Sequence, residues 1–589
     1  MLNASILFAL LCVLGLLLFF SGLPTLSTCA LPSIVSDHSG QSFKRPLESV
    51  LVILVTAIYA FAAFWNLGNR QSPQSFISMA EKAAVLEMDT PEDAGRLALF
   101  PGIGSGSYRI EYSVDAEGWF PLESFLQDHV AVLKWAFIPL NLDDSVRYLR
   151  IICDSGSPWL GEVALFAPDG TRLPFHTDVI LLCDEPDTVP TASDFLNSSY
   201  FDEIYHVRTA WEHLNGIWPY EISHPPLGKE LISLGILIFG MTPFGWRFSG
   251  TLIGVLMIPV MYLFVKRLFS SGRIAVLSSV LLASGFMHYV QTRIATIDSF
   301  AVFFILLMYY FMYGWLSTGK RLDLALCGFF FGLGAACKWT CLYAGAGLAV
   351  LWLSDWLRNL SREGKRVLPA FLKNAAFCML FFLAVPALIY YLSYAPYGRS
   401  EGAALFTGSF TKTVLENQRF MFQYHASIVA EHPYSSRWYQ WILDIRPILY
   451  YLEYLPAGKR ISIAAFVNPV ICWGGLFSLM ILLYLGIWRR NRLAFFLIVA
   501  YLSGLLPWMF ISRLTFEYHY FASAVFLIPM ISYIFWIMEN NMRQGKIFSL
   551  SFTVAALILF VLFFPVLSGL PIDDVLGSKL LGWLPSWPI

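Results

Sequence analysis

The stretch "PFGWRFSGTLIGVLMIPVMYLFVKR", residues 243–267, contains a long apolar run that ends at Lys266 and Arg267. An α-helix of about 20 apolar residues is long enough to cross the hydrocarbon core of a bilayer. The whole chain has a matching composition, because 57% of its 589 residues are hydrophobic and only 13% are charged. Soluble proteins carry about 25% charged residues. The sequence therefore predicts a polytopic α-helical membrane protein.

Similar apolar runs along the chain predict about twelve transmembrane helices. We place them at residues 4–22, 49–66, 245–265, 274–290, 298–316, 323–337, 341–355, 374–393, 463–487, 493–511, 517–537 and 547–567. The first run has no Lys or Arg before it, whereas a secretory signal peptide begins with a positively charged region. We therefore interpret residues 4–22 as a retained transmembrane helix.

The basic residues of the loops predict the orientation. They concentrate on one side of the twelve predicted helices, in the loops with Lys44 and Arg45, with Lys266, Arg267 and Arg273, with Lys320 and Arg321, from Arg358 to Lys373, with Arg489, Arg490 and Arg492, and with Arg543 and Lys546. Cytoplasmic loops carry an excess of Lys and Arg, so this side is predicted to be the cytoplasm. Both termini, residues 67–244 and the loop 394–462 are then expected outside.

Residues 70–190 differ from the rest because they are polar and alternate with the period of β-strands. The segments 107–122, 146–154 and 161–170 predict strands joined by turns. In "YRIEYSVDAEGW" and the pair "RYLRI…EVALF" this region resembles the discoidin or galactose-binding-like β-sandwich. The resemblance implies a carbohydrate-binding module, and an inert spacer fits equally well. Cys153 and Cys183 are either a disulfide, which an oxidising compartment permits, or two unpaired thiols.

The predicted organisation has seven segments. They are two N-terminal transmembrane helices (1–69), an extracytoplasmic β-sandwich insertion (70–190), an external loop with a juxtamembrane helix (191–244), a transmembrane core (245–393), a large external loop (394–462), C-terminal transmembrane helices (463–567) and an external tail (568–589). No group of His, Cys, Asp and Glu has metal-ligand spacing in the sequence, so neither a metal nor a cofactor is expected. The net charge of −1 gives no basic field for nucleic acid.

The stretch "SYFDEIYHVRTAWEHLNGIWPYEISHPPLGKELI", residues 199–232, concentrates ionisable side chains before an apolar run. Asp202 and Glu203 are adjacent, and successive side chains on a helix point about 100° apart, so we expect them to serve different partners. A simpler interpretation is a helix N-terminus, where acidic residues are favourable and a preceding serine acts as the cap. The His224-Pro-Pro turn is predicted to be rigid and extended, and Lys229 then begins an amphipathic run.

The pattern "FDEIYH…HPPLGK" resembles the first external loop of the protein O-mannosyltransferases. These are polytopic glycosyltransferases of the GT-C class that use polyprenyl-phosphate sugars. The resemblance continues in order through "PFGWRF…" (243–267), "QTRIATIDSFAVFF" (291–304), "GLGAACKWTCLY" (332–343), "HPYSSRWYQWILDIRPILYY" (432–451) and "LPWMFISRLTFEYHYF" (506–521). The chain departs from the family in its inserted sandwich and additional early helix, and it lacks the β-trefoil of eukaryotic members. Its loop resembles that of bacterial members, which favours a prokaryotic plasma membrane.

The resemblance implies roles for individual residues. Asp202 matches the catalytic aspartate, and Glu203 is the second choice or a supporting residue. Arginine pairs bidentately with phosphate oxygens, so Arg247, Arg293 and Lys338 are expected to bind the donor phosphate, with an Arg293–Asp298 ion pair as the alternative. The further candidates for substrate positioning are His224, Lys229, Asp298, Arg513, His519, Trp438 and Tyr439. For the histidines a structural role is the simpler interpretation, and for the loop aromatics an interfacial belt fits equally well.

The implied function is that of an inverting glycosyltransferase. It moves a hexose, by resemblance mannose, from a polyprenyl phosphate at the outer face to a hydroxyl acceptor, by resemblance protein Ser or Thr. A lipid or cell-wall glycan transferase of the aminoarabinose-transferase type is the alternative enzyme, since it shares the acidic loop and the Pro-Pro element. A non-enzymatic sugar sensor or a transporter is the alternative outside enzymes, and a transporter predicts discontinuous helices in repeated halves. The sequence does not indicate the oligomeric state.

Overall fold

The structure is a computed structural model that describes residues 45–142, 144–427 and 431–588. The predicted span 4–22 lies outside the described residues. The chain forms two compact units. Residues 66–221 and 229–249 make up one, which we call the sandwich unit, and the other described residues make up the helical unit.

The sandwich unit contains two antiparallel five-stranded sheets. Their strands are β1 (Ile77–Ser78), β2 (Ala83–Glu92), β3 (Arg96–Pro101), β4 (Gly106–Ser113), β5 (Phe120–Gln127), β6 (Ala136–Pro139), β7 (Val146–Gly156), β8 (Trp159–Phe166), β9 (Arg172–Leu173) and β10 (His176–Thr177). One sheet has the order β1-β8-β3-β6 with β9 beside β8, and the other has the order β10-β2-β7-β4-β5. Every second residue of the strands points inward, so Leu86, Leu97, Ile110, Leu149 and Val163 share one fully buried core.

The strands predicted at 107–122, 146–154 and 161–170 are confirmed. The first segment forms β4 and β5, which pair antiparallel, and the other two form β7 and β8. The resemblance to the discoidin fold stays a prediction. The disulfide is wrong, because Cys153 and Cys183 are free thiols. Each thiol contacts a carbonyl oxygen of its own segment, Ser155 and Ile180 respectively.

One described helix, α1 (Arg45–Phe64) of the helical unit, precedes the sandwich in the chain. Three helices follow it: α2 (Glu203–Asn215), α3 (Leu227–Phe239) and α4 (Pro243–Phe269). Helix α2 ends at Gly216, which adopts a left-handed backbone conformation with φ 64°. Only glycine adopts this conformation without steric cost, so the residue terminates the helix.

The helical unit continues with helices of very different length. They are α5 (Gly272–Ala283), α6 (Phe286–Arg293), α7 (Asp298–Thr318), α8 (Arg321–Cys337), α9 (Thr340–Glu363), α10 (Leu368–Met379), α11 (Val385–Leu392), α12 (Ala395–Glu401), α13 (Gly408–Ser427), α14 (Trp438–Trp441), α15 (Pro469–Ile487), α16 (Arg492–Leu505), α17 (Phe521–Ala524), α18 (Leu527–Asn541), α19 (Gly545–Ser568) and α20 (Asp574–Leu581). A small sheet of β11 (Ile448–Leu455), β12 (Lys459–Ala465) and β13 (Ile572–Asp573) completes it.

Within the described residues, eight continuous helical stretches are long and apolar enough to cross a membrane. The number rises to ten if each of two bent pairs is one span, α5 with α6 at 57° and residues 517–524 with α18 at 41°. Every predicted span from 49–66 onward coincides with a helix or a bent pair. Helix α8 has 17 residues, which is close to the lower limit for a span. The protein is therefore a multi-pass membrane protein, and the count of twelve spans stays a prediction.

The predicted span 463–487 begins six residues too early. Its first residues belong to β12, which pairs with β11, and α15 starts only at Pro469. The side chain of Asn468 caps this helix by accepting a hydrogen bond from the Val470 amide at 3.1 Å. A short apolar strand that runs directly into an apolar helix has no periodicity that separates the two.

Candidate active site

The residues predicted from the sequence fall into two groups, one in each unit. The first is the carboxylate loop, residues 194–203, together with the start of α4 in the sandwich unit. The second is a basic cavity in the helical unit. Each group has its own contacts and is described by itself.

A buried ion pair organises the carboxylate loop. Both Glu203 and Arg247 are almost completely inaccessible to solvent. The guanidinium donates from Nε to one carboxylate oxygen and from Nη2 to the other, each at 2.7 Å. Its remaining N–H groups donate to the backbone oxygens of Leu67, Phe195 and Ser198 at 2.7–3.0 Å. All five donors of Arg247 are therefore occupied within the protein.

This arrangement contradicts two roles that the sequence predicted. Arg247 was expected to hold the donor phosphate, but its N–H groups already bind Glu203 and three carbonyls. Glu203 was the second choice for the base, but it accepts bonds from Arg247 and from the Trp246 indole at 3.3 Å. Removing either partner would leave an uncompensated charge in a buried site. The pair is structural.

Asp202 is in a different position from Glu203. It is half-buried and precedes the first residue of α2, where its backbone oxygen accepts from the amides of Tyr205 and His206. Its side chain makes no capping hydrogen bond to the helix. The helix N-terminus of the simpler interpretation is therefore present, since α2 begins at Glu203, but Asp202 occupies the N-cap position and not the serine that was predicted to cap the helix.

The carboxylate loop is fixed to the β-sandwich by hydrogen bonds. The Ser199 amide and hydroxyl donate to the carbonyl oxygens of Leu133 at 2.8 Å and Val132 at 2.6 Å, and the Trp135 amide donates to the Ser198 hydroxyl at 3.1 Å. Phe201, directly before Asp202, has a φ of 50°. A bulky residue pays an energetic cost in this left-handed conformation, and surrounding contacts must impose it. The anchored serines supply such contacts.

Lys229 also has a structural role, which contradicts its predicted part in substrate positioning. Its side chain is fully buried, and Nζ donates to the Glu221 carboxylate at 2.5 Å and to the Glu221 backbone oxygen at 2.9 Å. It does not lie on a solvent-facing surface of α3. The ion pair joins the start of α3 to the loop that precedes the His-Pro-Pro turn.

The basic cavity of the helical unit has a volume of about 290 Å³. Its lining combines basic and aromatic side chains: Ser223, His224, Pro225, Lys338, Trp339, Thr340, Tyr343, Phe422, His425, Ala426, Trp508, Ile511 and Arg513. None of these described lining residues is acidic. A cavity with this lining favours an anionic group that carries an apolar portion.

Two cations lie in this cavity with different partners. Lys338 donates to Asp298 at 2.7 Å, so the predicted Arg293–Asp298 pair is replaced by a Lys338–Asp298 pair. The Arg513 guanidinium is half-buried and donates to the Leu514 backbone oxygen at 3.2 Å. Among the described residues, no carboxylate forms an ion pair with Arg513. Arg513 is thus the guanidinium of this cavity that can accept an anionic ligand without first breaking an ion pair.

The cavity wall that contains His224 is held by helix α13. Asn417 on this helix donates to the Ile222 backbone oxygen at 2.9 Å, and Nε2 of His425 lies 2.9 Å from the Ser223 backbone oxygen. The Ser223 hydroxyl lies 3.1 Å from Nδ1 of His224, and the His224 and His425 rings meet edge to face at 5.2 Å. The rigid turn predicted at His224 is therefore fixed by a helix over 180 residues later in the chain.

Four other predicted residues lie outside the lining of this cavity, as far as the described residues show. Arg293 donates to the backbone oxygens of Ala63 at 3.0 Å and Trp65 at 2.9 Å, at the C-terminal end of α1 where cations are favourable. His519 is buried, with its ring stacked 6.0 Å from that of Trp441. Tyr439 is exposed and Trp438 is half-buried in the large loop. A phosphate-binding role for Arg293 and a positioning role for His519 stay predictions.

The sequence analysis missed His425, Trp339, Tyr343 and Trp508 as cavity residues. The first of them ends an amphipathic helix, and nothing in its local sequence distinguishes it from a surface histidine. Trp339 and Trp508 did lie within motifs that were singled out, next to Lys338 and near Arg513. The Trp339 indole donates to the Tyr390 hydroxyl at 3.0 Å, which fixes its position at the wall. Their closeness in sequence to Lys338 and Arg513 was the signal that could have identified these two tryptophans as cavity residues.

The described residues of these two groups include no cluster with the spacing of metal ligands. The acidic cluster that does have such spacing lies in the β-sandwich. The protein groups in these places are an aspartate on a rigidly held loop and a basic cavity in which Arg513 forms no ion pair with any described carboxylate.

Removing Glu203 should destabilise the protein strongly. In Glu203→Ala the buried Arg247 loses its counter-charge, and breaking a buried pair costs about 3–5 kcal/mol. Thermal or denaturant unfolding of detergent-purified protein measures the loss. Glu416→Ala is the matched control, since its carboxylate forms an exposed pair with Lys412 at 3.7 Å and should cost under about 1 kcal/mol. Equal stabilities of the two variants would contradict a structural role for the Glu203–Arg247 pair.

Acid should destabilise the cavity wall through His425. Burial and the neighbouring His224 lower the pKa of His425 from 6.5 to about 4. A lowered pKa means that the folded protein favours the neutral ring, so this stability is present above pH 6.5 and is lost as the pH falls toward 4. His425→Gln keeps a donor for the Ser223 oxygen and does not titrate. Its unfolding temperature should fall less than that of the wild type between pH 7 and pH 5, whereas the exposed His129→Gln should follow the wild type.

Comparison with known proteins covers the residues of the basic cavity and the start of α4. A family model described as "Dolichyl-phosphate-mannose-protein mannosyltransferase" matches residues 223–390, and one described as "C-terminal four TMM region of protein-O-mannosyltransferase" matches residues 410–587. Together they cover more than half of the chain. A polyprenol-phosphate-mannose–protein mannosyltransferase of Mycobacterium tuberculosis is 26% identical over 66% of this chain and 86% of its own length. A relative of the same name from Corynebacterium glutamicum is 26% identical over 66% of this chain and 88% of its own length.

Among solved structures, the fold is similar to that of the Saccharomyces cerevisiae protein O-mannosyltransferase Pmt1–Pmt2 complex bound to the sugar donor. The TM-score is 0.58 at 14% identity, and the match covers 66% of this chain and 89% of that one. The matched family models cover the basic cavity, the His-Pro-Pro turn and the late loop, in the order in which the sequence motifs occur. The chain is a membrane glycosyltransferase of the GT-C class and belongs to the protein O-mannosyltransferase family.

Proposed function

We propose that the protein transfers mannose from a polyprenyl phosphate to a hydroxyl group of an acceptor protein at the extracytoplasmic face. The main support for the proposal is the pairing of the acidic side chains in the carboxylate loop and of the basic side chains in the cavity. Glu203 pairs with the buried Arg247, and the half-buried Asp202 beside it does not use its side chain to cap α2, which supports Asp202 as the reacting carboxylate. In the helical unit, Arg513 and Lys338 line a cavity whose described lining has no acid.

Asp202 acts as the general base in this proposal. Its carboxylate takes the proton of the acceptor O–H while that oxygen forms a bond to C1 of the sugar. The bond between C1 and the phosphate oxygen breaks, and both of its electrons leave with the lipid phosphate. A general base of this type contributes about 10²–10⁴-fold to the rate. One displacement inverts the anomeric centre, so a β-linked donor gives an α-linked product.

Arg513 and Lys338 bind the leaving phosphate. The donor is a phosphodiester and the product is a phosphomonoester, so negative charge increases on the phosphate as the reaction proceeds. A fixed guanidinium stabilises this charge more strongly than the charge of the ground state, which lowers the barrier. Asp298 holds Lys338 at 2.7 Å and so positions the second cation. The aromatic side chains Trp339, Tyr343, Phe422 and Trp508 offer apolar surface to the first isoprene units.

The names of the relatives support the proposed acceptor, and the loop charges support the proposed orientation. The bacterial relatives are named protein mannosyltransferases, which supports a protein acceptor over a lipid or a cell-wall glycan. The Lys- and Arg-rich loops support an external position for the carboxylate loop and the large loop, where lipid-linked sugars and secreted proteins meet. A transfer assay separates the alternatives, because label from lipid-linked mannose enters protein, lipid or polymer.

Asp202→Asn should abolish turnover and keep the fold. The substitution preserves the shape of the side chain and removes its basicity, so kcat should fall by about 100-fold or more. The assay measures mannose transferred from polyprenyl-phosphate mannose to a Ser/Thr peptide by mass spectrometry. Asp187→Asn, the same change at an exposed position of the sandwich unit, should retain activity. Donor binding should also persist in Asp202→Asn. Near wild-type turnover in this variant would refute the role of Asp202, and loss of folding in both variants would show a structural effect.

Arg513→Ala should weaken binding of the lipid phosphate. A hydrogen bond to a charged group is worth about 1.5–3 kcal/mol, which corresponds to a roughly 10–100-fold increase in Kd. Arg513→Lys keeps the positive charge but loses the bidentate guanidinium, so its affinity for the lipid phosphate should lie between those of the wild type and Arg513→Ala. Titration with polyprenyl phosphate measures the affinity. Arg419→Ala removes an exposed arginine from α13 and serves as the control. Unchanged affinity in Arg513→Ala would exclude this residue from the phosphate site.

A further inference from the structure

Three carboxylates meet in the β-sandwich, away from the residues discussed above. They belong to Glu162 on β8 and to Asp184 and Glu185, which follow the last strand. We propose that they form a binding site for a divalent cation of the Ca²⁺ type, which stabilises the sandwich and the loop that leaves it. The sequence analysis expected no metal, because residues 162 and 184–185 lie too far apart in the chain to form a recognisable ligand motif.

The geometry of the cluster fits a calcium ion. One ligand oxygen from each residue lies within 4.8 Å of the others. Ca²⁺ binds oxygen at about 2.3–2.6 Å, so two of its ligands are at most about 5 Å apart. Mg²⁺ binds at about 2.0–2.1 Å and demands a tighter octahedral set. Three carboxylates offer no nitrogen or sulfur ligand, which disfavours Zn²⁺ and the softer metals.

Glu162 provides the second, independent observation. Its side chain is completely buried, and Oε1 has no hydrogen-bond partner in the structure. Its other oxygen accepts from the Glu185 amide at 3.0 Å. A buried carboxylate oxygen without a partner carries a desolvation penalty that only a proton or a cation can offset. Two further carboxylates beside it raise that penalty unless a positive charge binds among them.

The surrounding charges leave room for a divalent ion. Arg172 is the nearby cation, and its guanidinium donates to the Pro186 backbone oxygen at 2.5 Å. Three carboxylates and one guanidinium sum to an excess of two negative charges, which a divalent cation balances. Asp184 is exposed, so the site opens to solvent on that side and an ion can enter. Water molecules complete the coordination shell, as is usual for Ca²⁺ with few protein ligands.

The cation would join three segments of the sandwich unit. Glu185 accepts from the amides of Gln74 at 2.7 Å and Ser75 at 3.1 Å, where the chain enters the sandwich, and Ser75 Oγ donates to Asp184 at 3.3 Å. Glu162 belongs to a central strand. The Asp184–Glu185 segment leads on to the carboxylate loop that begins at residue 194. An ion at this junction therefore ties the entry and the exit of the sandwich to its core.

Calcium titration of the full-length, detergent-purified protein after chelator treatment tests the proposal. CaCl₂ should raise the unfolding temperature by about 3–8 °C at saturation, and MgCl₂ should raise it less. Hydrogen–deuterium exchange should slow on adding CaCl₂ in peptides covering residues 72–78 and 180–188, which contain the bonded amides. Elemental analysis after dialysis should give one equivalent of calcium per chain.

Variants distinguish this site from adventitious binding. Glu162→Gln keeps the size of the buried side chain and removes its charge, so the calcium-dependent shift and the local exchange protection should both disappear. Asp184→Asn lies at the exposed edge and should weaken calcium binding even if the first variant folds poorly. Glu117→Gln, the same change at an exposed position of the sandwich, should respond to calcium as the wild type does. A calcium response that survives in Glu162→Gln and Asp184→Asn, or no response in the wild type, would overturn the proposal.

Discussion

The buried ion pair of Glu203 and Arg247 is the interaction on which the candidate site depends. Transferring a charge out of water costs several kcal/mol, so each member of the pair is tolerable only beside the other. Arg247 at the start of α4 also binds carbonyls of residues 67, 195 and 198. A single guanidinium thus fixes a helix start, the segment that enters the sandwich and the carboxylate loop. Asp202 owes its position to this neighbour.

The cost of burying an unpaired charge also distinguishes the other basic residues discussed above. In an apolar environment a charged side chain either finds a permanent partner or marks a functional site. Lys229 has Glu221, and Arg293 has the carbonyl end of α1, so both belong to the framework. Lys338 pairs with Asp298 but lines the cavity, and Arg513 donates to a backbone oxygen and forms no ion pair within the described part of the chain. The degree of pairing, more than the motif, separates the framework cations from those that we propose to bind ligand.

The β-sandwich holds the carboxylate loop in place, and this role does not depend on any ligand of the sandwich. Its residues 132–135 hold Ser198 and Ser199, and through them the strained backbone of Phe201 next to Asp202. A functional carboxylate on a loop needs a rigid support to keep its geometry. The proposed cation would extend this support to the chain segments on both sides of the sandwich. The β-sandwich therefore supports the backbone of the carboxylate loop.

The sequence by itself determined the membrane class, ten or more helical segments, the strands of the sandwich and the family. These follow from local hydrophobic periodicity and from motifs whose order along the chain is itself informative. Which acid and which arginine pair with each other was decided only by the tertiary structure. Asp202 and Glu203 are adjacent and have nearly identical sequence environments, yet Glu203 is buried against a guanidinium 44 residues later in the chain while Asp202 is half-buried at the start of α2. Burial and pairing of charge are long-range properties, and these set the roles of the site residues.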